Sequence, residues 1–358
     1  MRTTEEQVHF VNYFYTVSGA LSLLGSLTII YILIQSNRQL NTCHRRLVFG
    51  MSVFDILASA LFALCFVPRF NEQVCSFQGF IFHLGVTTTP MYNASLCIYY
   101  VSSVVFEIDE MLIKRRLEPF LHGIPICWNV FAAIFLTRNG SINETGVLCW
   151  IGSKPLDCLE DPNMECERGE NADKHRWMFV GYQTFAIFFI IVISMIMLVV
   201  KLAKQERRLG ALSDSAVRND EDPSEDAFRL RQTFKIKSIY KTKSMKKVVS
   251  QAFVYVAAYF FPFLFPTIHY AYKSMAGRRS FVTWVLMATF MPLQGLFNSI
   301  VFIRPRFIAL RHRHPEISFL KALLVTTKFA TLAQNSMRTA QSTVVSTRDS
   351  TTENVSQA

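Results

Sequence analysis

Seven long blocks of mainly apolar residues, separated by charged segments, constrain what this chain can fold into. Roughly 20 apolar residues in a helix cross the core of a bilayer, and each block has about that length or more. We therefore predict an all-α fold, a bundle of seven membrane-spanning helices between residues 11 and 303. The blocks are Val11–Ile34, Leu47–Pro68, Cys75–Phe106, Phe120–Thr137, Trp177–Val200, Val248–Tyr272 and Phe281–Ile303.

The fourth block, Phe120–Thr137, leaves a second interpretation open. It is the shortest block, and it contains His122 and Pro125. A segment of this kind is also compatible with a position at the membrane interface. The bundle would then have six spans, with both chain termini on the same side of the membrane.

The composition excludes several classes of protein. Hydrophobic residues make up 51% of the 358 residues and charged residues only 18%, which is not the balance of a soluble domain. The net charge of +11 raises the question of nucleic-acid binding, but the basic residues stand between the apolar blocks rather than in patches with interleaved aromatics. This pattern is typical of a multi-pass membrane protein. We expect it to contact lipid in the plasma membrane, and to bind no nucleic acid.

The distribution of lysine and arginine predicts the orientation of the bundle. With the amino terminus outside, 27 of the 37 lysines and arginines lie in cytoplasmic segments, as the positive-inside rule requires. Residues 1–10 then form a short extracellular tail, residues 138–176 an extracellular loop and residues 201–247 a cytoplasmic loop. The first ten residues lack the pattern of a signal peptide, so the first span is expected to act as its own anchor.

The predicted extracellular loop contains two glycosylation sequons, at Asn139 and Asn143. Asparagines in such sequons are glycan acceptors on the surface loops of exported chains. Two further sequons, at Asn93 inside a span and at Asn354 in the tail, are expected to be chance matches. We therefore predict glycans on Asn139 and Asn143.

Four cysteines predict two disulfides in an oxidising compartment. Cys75 stands at the outer mouth of the third span, within reach of Cys149, and a bridge there would pin the loop across the bundle. Cys158 and Cys166 would then close a small acidic sub-loop. Free thiols in a loose loop are the alternative. The other four cysteines of the chain are expected to be apolar packing residues.

Four stretches of the chain, taken in order, resemble one family of membrane proteins. They are MYNASLCIYY in the third span, LEPFLHGIP at the start of the fourth, LCWIG in the extracellular loop and MPLQGLFNSIVFIRPRF in the seventh. With the seven spans, they resemble the G-protein-coupled receptors, in particular the cyclic-AMP receptor-like group that borders the secretin-type superfamily. The resemblance covers Val11 to Phe307. The chain departs from the receptor pattern at the inner end of the third span, where VFEIDEMLIKRR has no Asp-Arg-Tyr. The resemblance therefore does not imply an ionic lock at this position.

Asp55 is the one acidic side chain in the seven predicted spans. A carboxylate inside a membrane costs about 3 kcal/mol on insertion scales, so Asp55 is expected to face the bundle interior. The receptor resemblance implies a polar centre of Asp55, Gln294 and Asn298 that holds a sodium ion or water and rearranges between receptor states. A purely structural hydrogen bond is the alternative.

Three prolines are predicted to bend the helices that move in the switch. Pro262 and Pro266 remove backbone hydrogen bonds from the sixth span and Pro292 does so in the seventh, because proline has no N–H group. We predict bends at these positions about which the cytoplasmic helix ends swing. Proline is common in membrane helices of every function, so the bends alone identify no function.

The seventh span is expected to end at Arg304-Pro305-Arg306. Pro305 is well placed to start a short amphipathic helix on the membrane surface, at residues 304–314. Residues 315–358 are predicted to form a disordered cytoplasmic tail. Beyond Lys328 the tail is rich in serine and threonine, which makes it either a kinase substrate for receptor shut-off or a disordered segment only.

Basic residues at the cytoplasmic helix ends are predicted to contact a G protein. The two ends of the 201–247 loop are basic and continue the fifth and sixth helices, whereas its middle, SDSAVRNDEDPSEDAF, is acidic and predicted to be disordered. Anchoring to the membrane by positive charge is the alternative. The candidate contact residues are Arg115, Arg116, Lys201, Lys204, Lys243, Lys246 and Lys247.

The resemblance to G-protein-coupled receptors, together with these features, implies a receptor that passes an extracellular signal to heterotrimeric G proteins. About ten residues precede the first span, so a small-molecule ligand is favoured, bound near the outer halves of the third, fifth, sixth and seventh spans. The chain has no HExxH, GxSxG or glycine-rich phosphate loop, so neither an enzyme nor a cofactor is predicted. The seventh span has no lysine for a retinal Schiff base. The alternative is a non-signalling seven-helix membrane protein such as a transporter, although we find no internal repeats or paired intramembrane charges.

Overall fold

A computed structural model of the protein describes residues 5–35, 40–65, 71–156, 158–159, 164–218, 225–276, 280–319, 321 and 325–326. Most of these residues are helical. The α-helices are α1 (Glu5–Gln35), α2 (Cys43–Ala63), α3 (Glu72–Tyr100), α4 (Glu110–Leu112), α5 (Glu118–Arg138), α6 (Ala172–Arg176), α7 (Tyr182–Arg218), α8 (Glu225–Ala276), α9 (Phe281–Phe290) and α10 (Gln294–Arg313).

Short turns of other helix types connect several of these α-helices. A π-helical turn at Val101–Val105 extends α3, a second at Ile113–Leu117 joins α4 to α5, and a third at Trp177–Gly181 joins α6 to α7. A 3₁₀ turn at Met291–Leu293, which contains Pro292, joins α9 to α10. The described residues thus form seven long helical segments that follow the order of the seven predicted spans.

Six of the seven segments are long and apolar enough to cross a membrane, and α3 is the exception. It is 29 residues long, but it buries His83, Thr87, Thr88, Asn93 and Ser95 among the other helices. A helix enclosed by its neighbours needs little apolar surface for lipid, so α3 can be less apolar than the other segments. The fourth segment, whose predicted position was uncertain, is among the six. The crossing of the membrane by α3 stays a prediction.

Helix ends differ from the predicted span ends. The first helix starts at Glu5, inside the predicted tail 1–10, while α7 and α8 continue far into the predicted loop 201–247. The prediction of a disordered acidic middle is therefore wrong for the part described, because α7 reaches Arg218 and α8 begins at Glu225. Hydropathy indicates where lipid contact ends, whereas a helix continues for as long as charged residues support it.

The predicted surface helix at residues 304–314 is not a separate element. Instead α10 passes without interruption through Pro305 and ends at Arg313. A membrane helix tolerates an internal proline when another donor binds the carbonyl oxygen that the proline leaves free. Residues 327–358, which include the predicted phosphorylation region, lie outside the described part of the chain.

Two ends of the bundle are distinguished by their clusters of buried side chains. We call the end covered by residues 142–151 the hairpin end, where Phe62, Phe82 and Trp284 belong to one apolar cluster. We call the opposite end, which carries α4, the far end. The apolar cluster toward the far end includes Met51 and Tyr255.

Small residues bring α1, α2 and α10 into close contact between the two ends. The Ser22 hydroxyl accepts a hydrogen bond from the backbone N–H of Gly295 at 2.9 Å and another from the Ser59 hydroxyl at 2.9 Å. A Cβ at Gly295 would lie only 2.7 Å from that Ser22 oxygen. Gly295 is therefore required for this contact, in the manner of small-residue packing between membrane helices.

Candidate ligand cavity and polar centre

A two-stranded antiparallel hairpin covers one end of the bundle. Strand β1 (Ile142–Glu144) pairs with strand β2 (Cys149–Ile151), and Gly146 has a φ of 87° in the turn between them. The all-α prediction missed this hairpin. Its signal in the sequence is the glycine between two short stretches that contain apolar residues, because glycine adopts positive φ at little cost.

Both predicted disulfides are present at the hairpin end. Cys75 at the start of α3 is bonded to Cys149 in β2, with 5.3 Å between the two Cα atoms, and Cys158 is bonded to Cys166. At Gly79, one turn further along α3, an added Cβ would lie 2.9 Å from the Cys149 carbonyl oxygen. Glycine thus allows β2 to lie directly on α3 beside the disulfide.

The two sequons of this loop differ in their accessibility. Asn139 is exposed at the end of α5. Asn143 is 3% exposed, and its side-chain nitrogen donates hydrogen bonds to the carbonyl oxygens of Gly140 and Gly152, both at 2.8 Å. A glycan would be attached to that same nitrogen, so the folded hairpin has no room for one. The burial of Asn143 argues against a glycan there in the folded hairpin, whereas the exposed Asn139 is accessible; glycosylation of either residue stays a prediction.

A cavity of about 130 Å³ lies beneath the hairpin. Its floor and walls are mainly aromatic and apolar, and its rim carries polar groups from the loop and from α6. The apolar wall includes Tyr15 from α1, Phe62 from α2, Phe82 from α3, Trp150 from β2, Tyr270 from α8, Trp284 and Met287 from α9, and Met291.

Arg176 is the charged group that bridges the cavity rim and the hairpin. One of its terminal nitrogens donates to Asp173 at 2.8 Å and the other donates to the Ile151 carbonyl oxygen at 2.5 Å. The guanidinium carbon also lies 5.9 Å from the centre of the Tyr270 ring. Its Nε–H is buried, with no hydrogen-bond partner among the atoms described. Arg176 therefore combines a place in the cavity lining with one N–H that has no partner among the described atoms.

The cavity differs from the predicted ligand position. We expected the third, fifth, sixth and seventh spans to form it, but α7 contributes none of its described lining residues, whereas α1 and α2 do. The reason is that the first turns of α7 direct large side chains away from the bundle, with Tyr182 66% and Phe189 59% exposed. The fifth segment reaches the cavity only through Asp173 and Arg176 of α6.

A polar centre lies deeper in the bundle, between α2, α3 and α10. The Asn298 amide donates to the Asp55 carboxylate at 2.8 Å, and the two residues are 0% and 3% exposed. The Thr89 side chain lies beside the same carboxylate, although the hydroxyl donates to the Gly85 carbonyl oxygen at 3.2 Å. The structure thus joins Asp55 to Asn298, two residues that the sequence singled out.

Gln294 does not complete this centre as predicted. No hydrogen bond joins it to Asp55 among the described atoms, and its buried Nε2 has no partner there. The Oδ1 atoms of Asn298 and Asn93 are likewise buried and without a partner in the described part. Amide oxygens are of the type that binds a sodium ion or water, and Asn298 contacts the Asp55 carboxylate. The sodium ion stays a prediction.

The far end carries the basic residues predicted to meet a G protein. Arg115, Arg116, Lys204 and Lys247 are exposed. Lys201, in contrast, forms an ion pair with Glu107 and donates to the Val105 carbonyl oxygen, both at 3.0 Å, and Lys246 pairs with Glu206 at 2.6 Å. The side chain of Lys243 lies outside the described ones. Five of the seven candidate side chains are therefore exposed, including the paired Lys246, whereas the paired Lys201 is half-buried.

An ion-pair network at the far end was missed by the sequence analysis. Arg46 of α2 binds Glu118 of α5 with two nitrogens, one of them at 2.6 Å. His122 lies 3.7 Å from the same carboxylate, and its other ring nitrogen is 3.0 Å from the Tyr92 hydroxyl of α3. The spacing of Glu118 and His122, four residues apart, was a signal for their contact on one helix face. No local sequence pattern indicated that Arg46, 72 positions before Glu118, would be its partner.

Comparison with known proteins identifies a similar fold. No protein-family profile matches the chain, and no curated protein sequence matches it. The crystal structure of squid rhodopsin does match, with a TM-score of 0.56 over 92% of each chain and 12% sequence identity. A match at such low sequence identity supports only a similar fold. The assignment to the cyclic-AMP receptor-like group stays a prediction. The chain has the fold of squid rhodopsin, and six of its helical segments are long and apolar enough to cross a membrane.

Proposed function

We propose that the protein is a receptor that binds a small molecule in the cavity at the hairpin end and activates a heterotrimeric G protein at the far end. The observation that carries the proposal is the cavity itself, which is lined by six helical segments and a disulfide-bonded hairpin in a rhodopsin-like bundle. Disulfides belong to oxidising compartments, so we assign the hairpin end to the outside of the cell.

The cavity chemistry favours a compact, largely apolar ligand with one hydrogen-bond acceptor. Aromatic, methionine and aliphatic side chains together form most of the wall, and such surfaces bind apolar or aromatic groups. The Asp173 and Arg176 charges neutralise each other at the rim, so they provide no net charge for an ionic ligand. The Arg176 Nε–H then serves as the donor that orients the ligand.

The polar centre is the proposed connection between ligand and G protein. Asp55 and Asn298 join α2 to α10, and the helix of Asn298 begins directly after the 3₁₀ turn at Pro292. Met291 in that turn lines the cavity. A ligand that contacts Met291 differently in two conformations can shift the equilibrium between them only by its difference in affinity for the two.

The proposed G-protein surface combines apolar and basic side chains. After α3, Phe106 is 61% exposed and Met111 56% exposed, and the exposed Arg115 and Arg116 follow in the adjoining turn. An apolar contact ringed by charges is typical of protein interfaces. Anchoring of the same residues in anionic lipid is the competing explanation.

The test is ligand binding and nucleotide exchange with full-length protein in nanodiscs. A compound screen should yield ligands that stimulate exchange on an added G protein. Met287→Trp, which fills the cavity, should weaken their binding by about tenfold or more, corresponding to about 1.4 kcal/mol.

The matched control is Ile193→Trp, on the exposed face of α7, which should leave binding unchanged. If Met287→Trp binds every ligand as wild type does, the cavity is not the binding site. If ligands bind there and none of the G proteins responds, the receptor proposal is overturned in favour of the transporter alternative.

A further inference from the structure

A proline in α10 leaves one backbone acceptor without its usual donor. Pro305 lies inside α10, and its nitrogen carries no hydrogen. In an α-helix the N–H of residue 305 would bind the carbonyl oxygen of residue 301. That residue, Val301, is 3% exposed, so its unpaired carbonyl oxygen would be costly without a substitute donor.

Gln251 of α8 is the substitute donor. Its Nε2 donates to the Val301 carbonyl oxygen at 2.7 Å. Beside it, Arg304 of α10 lies 3.4 Å from the hydroxyl of Ser250, a longer and more exposed contact. A hydrogen bond therefore links the far ends of the sixth and seventh segments. Its acceptor, the Val301 carbonyl oxygen, is available because Pro305 has no N–H to bind it.

A second proline produces the same arrangement elsewhere in the bundle. Pro125 of α5 frees the carbonyl oxygen of Leu121, and the Ser95 hydroxyl of α3 donates to it at 3.0 Å. Leu121 and Ser95 are both buried, at 5% and 4% exposure. This link offers a matched control, because it has the same chemistry in a different pair of helices.

We propose that Gln251 is a positioning residue that holds α8 against α10 in the ligand-free state, and that Pro305 makes this link breakable. Moving α8 away removes the donor from Val301 and leaves a buried acceptor unpaired, which opposes the movement. The link thus sets the resting position of the far end of α8. The signalling part of this inference rests on the proposed receptor function, whereas the link between the helices does not.

The experiment measures the separation of the two helix ends in the full chain. Spin labels are placed at Lys247→Cys on α8 and Ala309→Cys on α10, both exposed positions, in a Cys127→Ser background that removes the exposed native thiol. Gln251→Leu deletes the donor and should increase the mean separation. If the protein signals, ligand-free nucleotide exchange, measured in an unlabelled chain that keeps Lys247, should rise about five-fold, the effect of losing one hydrogen bond.

Pro305→Ala tests the inference without altering Gln251. The restored N–H of residue 305 satisfies the Val301 carbonyl oxygen from within α10, so releasing Gln251 becomes less costly. We expect Pro305→Ala alone to increase the separation. In the Pro305→Ala background, Gln251→Leu should then add less than about half of its effect in wild type, because the two substitutions act on one bond. Ser95→Ala should leave the separation of α8 and α10 unchanged.

The outcomes separate the link from the receptor proposal. Equal effects of Gln251→Leu in both backgrounds, or none in either, would overturn the link. Should Gln251→Leu fail to fold, an unchanged separation in Pro305→Ala overturns the link and an increased one supports it. A changed separation with no nucleotide exchange by any G protein would leave the link standing and refute the receptor function.

Discussion

The two ends of the bundle are fastened by different kinds of bond. At the hairpin end, a disulfide attaches β2 to α3, and Arg168 adds an ion pair with Glu72. At the far end, the described contacts between helices are noncovalent, such as Arg46 with Glu118 and Gln251 with Val301. A covalent bond persists through thermal motion, whereas hydrogen bonds and ion pairs exchange readily. The comparison teaches that, among the described contacts, covalent attachment is confined to the hairpin end.

The largest effect should come from breaking the covalent attachment at the hairpin end. Cys75→Ala removes a disulfide that spans 74 positions of the chain, and loss of a native disulfide commonly costs roughly 2–5 kcal/mol. Thermal unfolding and the amount of protein at the cell surface should both decrease, and ligand binding with them.

Cys158→Ala and Cys127→Ala are the variants with which the destabilisation by Cys75→Ala is compared. The Cys158–Cys166 disulfide spans only 8 positions, so its loss should destabilise the protein less, and Cys127 is a free exposed thiol whose removal should have no effect. If Cys75→Ala unfolds at the same temperature as Cys127→Ala, the contrast between the two ends has no energetic basis.

A smaller effect is expected at the far end from Arg46→Ala. The substitution leaves Glu118, 11% exposed at its side chain, without its cation. An unpaired, partly buried carboxylate of this kind costs about 1–3 kcal/mol, measured as a lower unfolding temperature. Exposed Arg115→Ala is the control and should change stability by less than about 0.5 kcal/mol. The exchanged pair Arg46→Glu with Glu118→Arg should recover part of the loss; no recovery would argue against a direct pair.

Asp55→Asn tests the polar centre between the two ends. The substitution removes a charge and nearly preserves the shape of the side chain, so fold and ligand binding should be retained. Agonist-driven nucleotide exchange should change by roughly tenfold, corresponding to about 1.4 kcal/mol of coupling. A variant that both binds and signals as wild type does would make the bond between Asp55 and Asn298 purely structural.

The smallest effect in this series concerns the two sequons of the hairpin. Asn139→Gln should abolish the shift in gel mobility caused by glycosidase and leave stability unchanged. Asn143→Gln should keep that shift but destabilise the hairpin by about 1 kcal/mol, because hydrogen bonds to Gly140 and Gly152 are lost. A reduced glycan mass in Asn143→Gln would show that the hairpin forms only after modification.

Local sequence patterns predicted the helices well and their contacts poorly. Apolar blocks indicated each long segment because lipid contact and helix formation both act over about 20 neighbouring residues. The sequons of Asn139 and Asn143 have the same local pattern, and only the fold makes one exposed and the other buried. Arg46 with Glu118 and Gln251 with Val301 are separated by 72 and 50 positions, so no local pattern could pair them. The intramembrane carboxylate of Asp55 predicted only that it faces the interior, and its pairing with Asn298 was predicted from the resemblance to receptors.

The polar character of α3 has a consequence for how the protein enters the membrane. Insertion of a single helix depends on its hydropathy, and α3 is the segment that falls below the threshold. Its hydrogen bonds to later segments include Ser95 with the Leu121 carbonyl oxygen of α5 and the Thr87 carbonyl oxygen with Gln183 of α7. We expect a nascent chain truncated after α3 to leave this helix outside the lipid, and stable insertion to require the synthesis of α5 and α7.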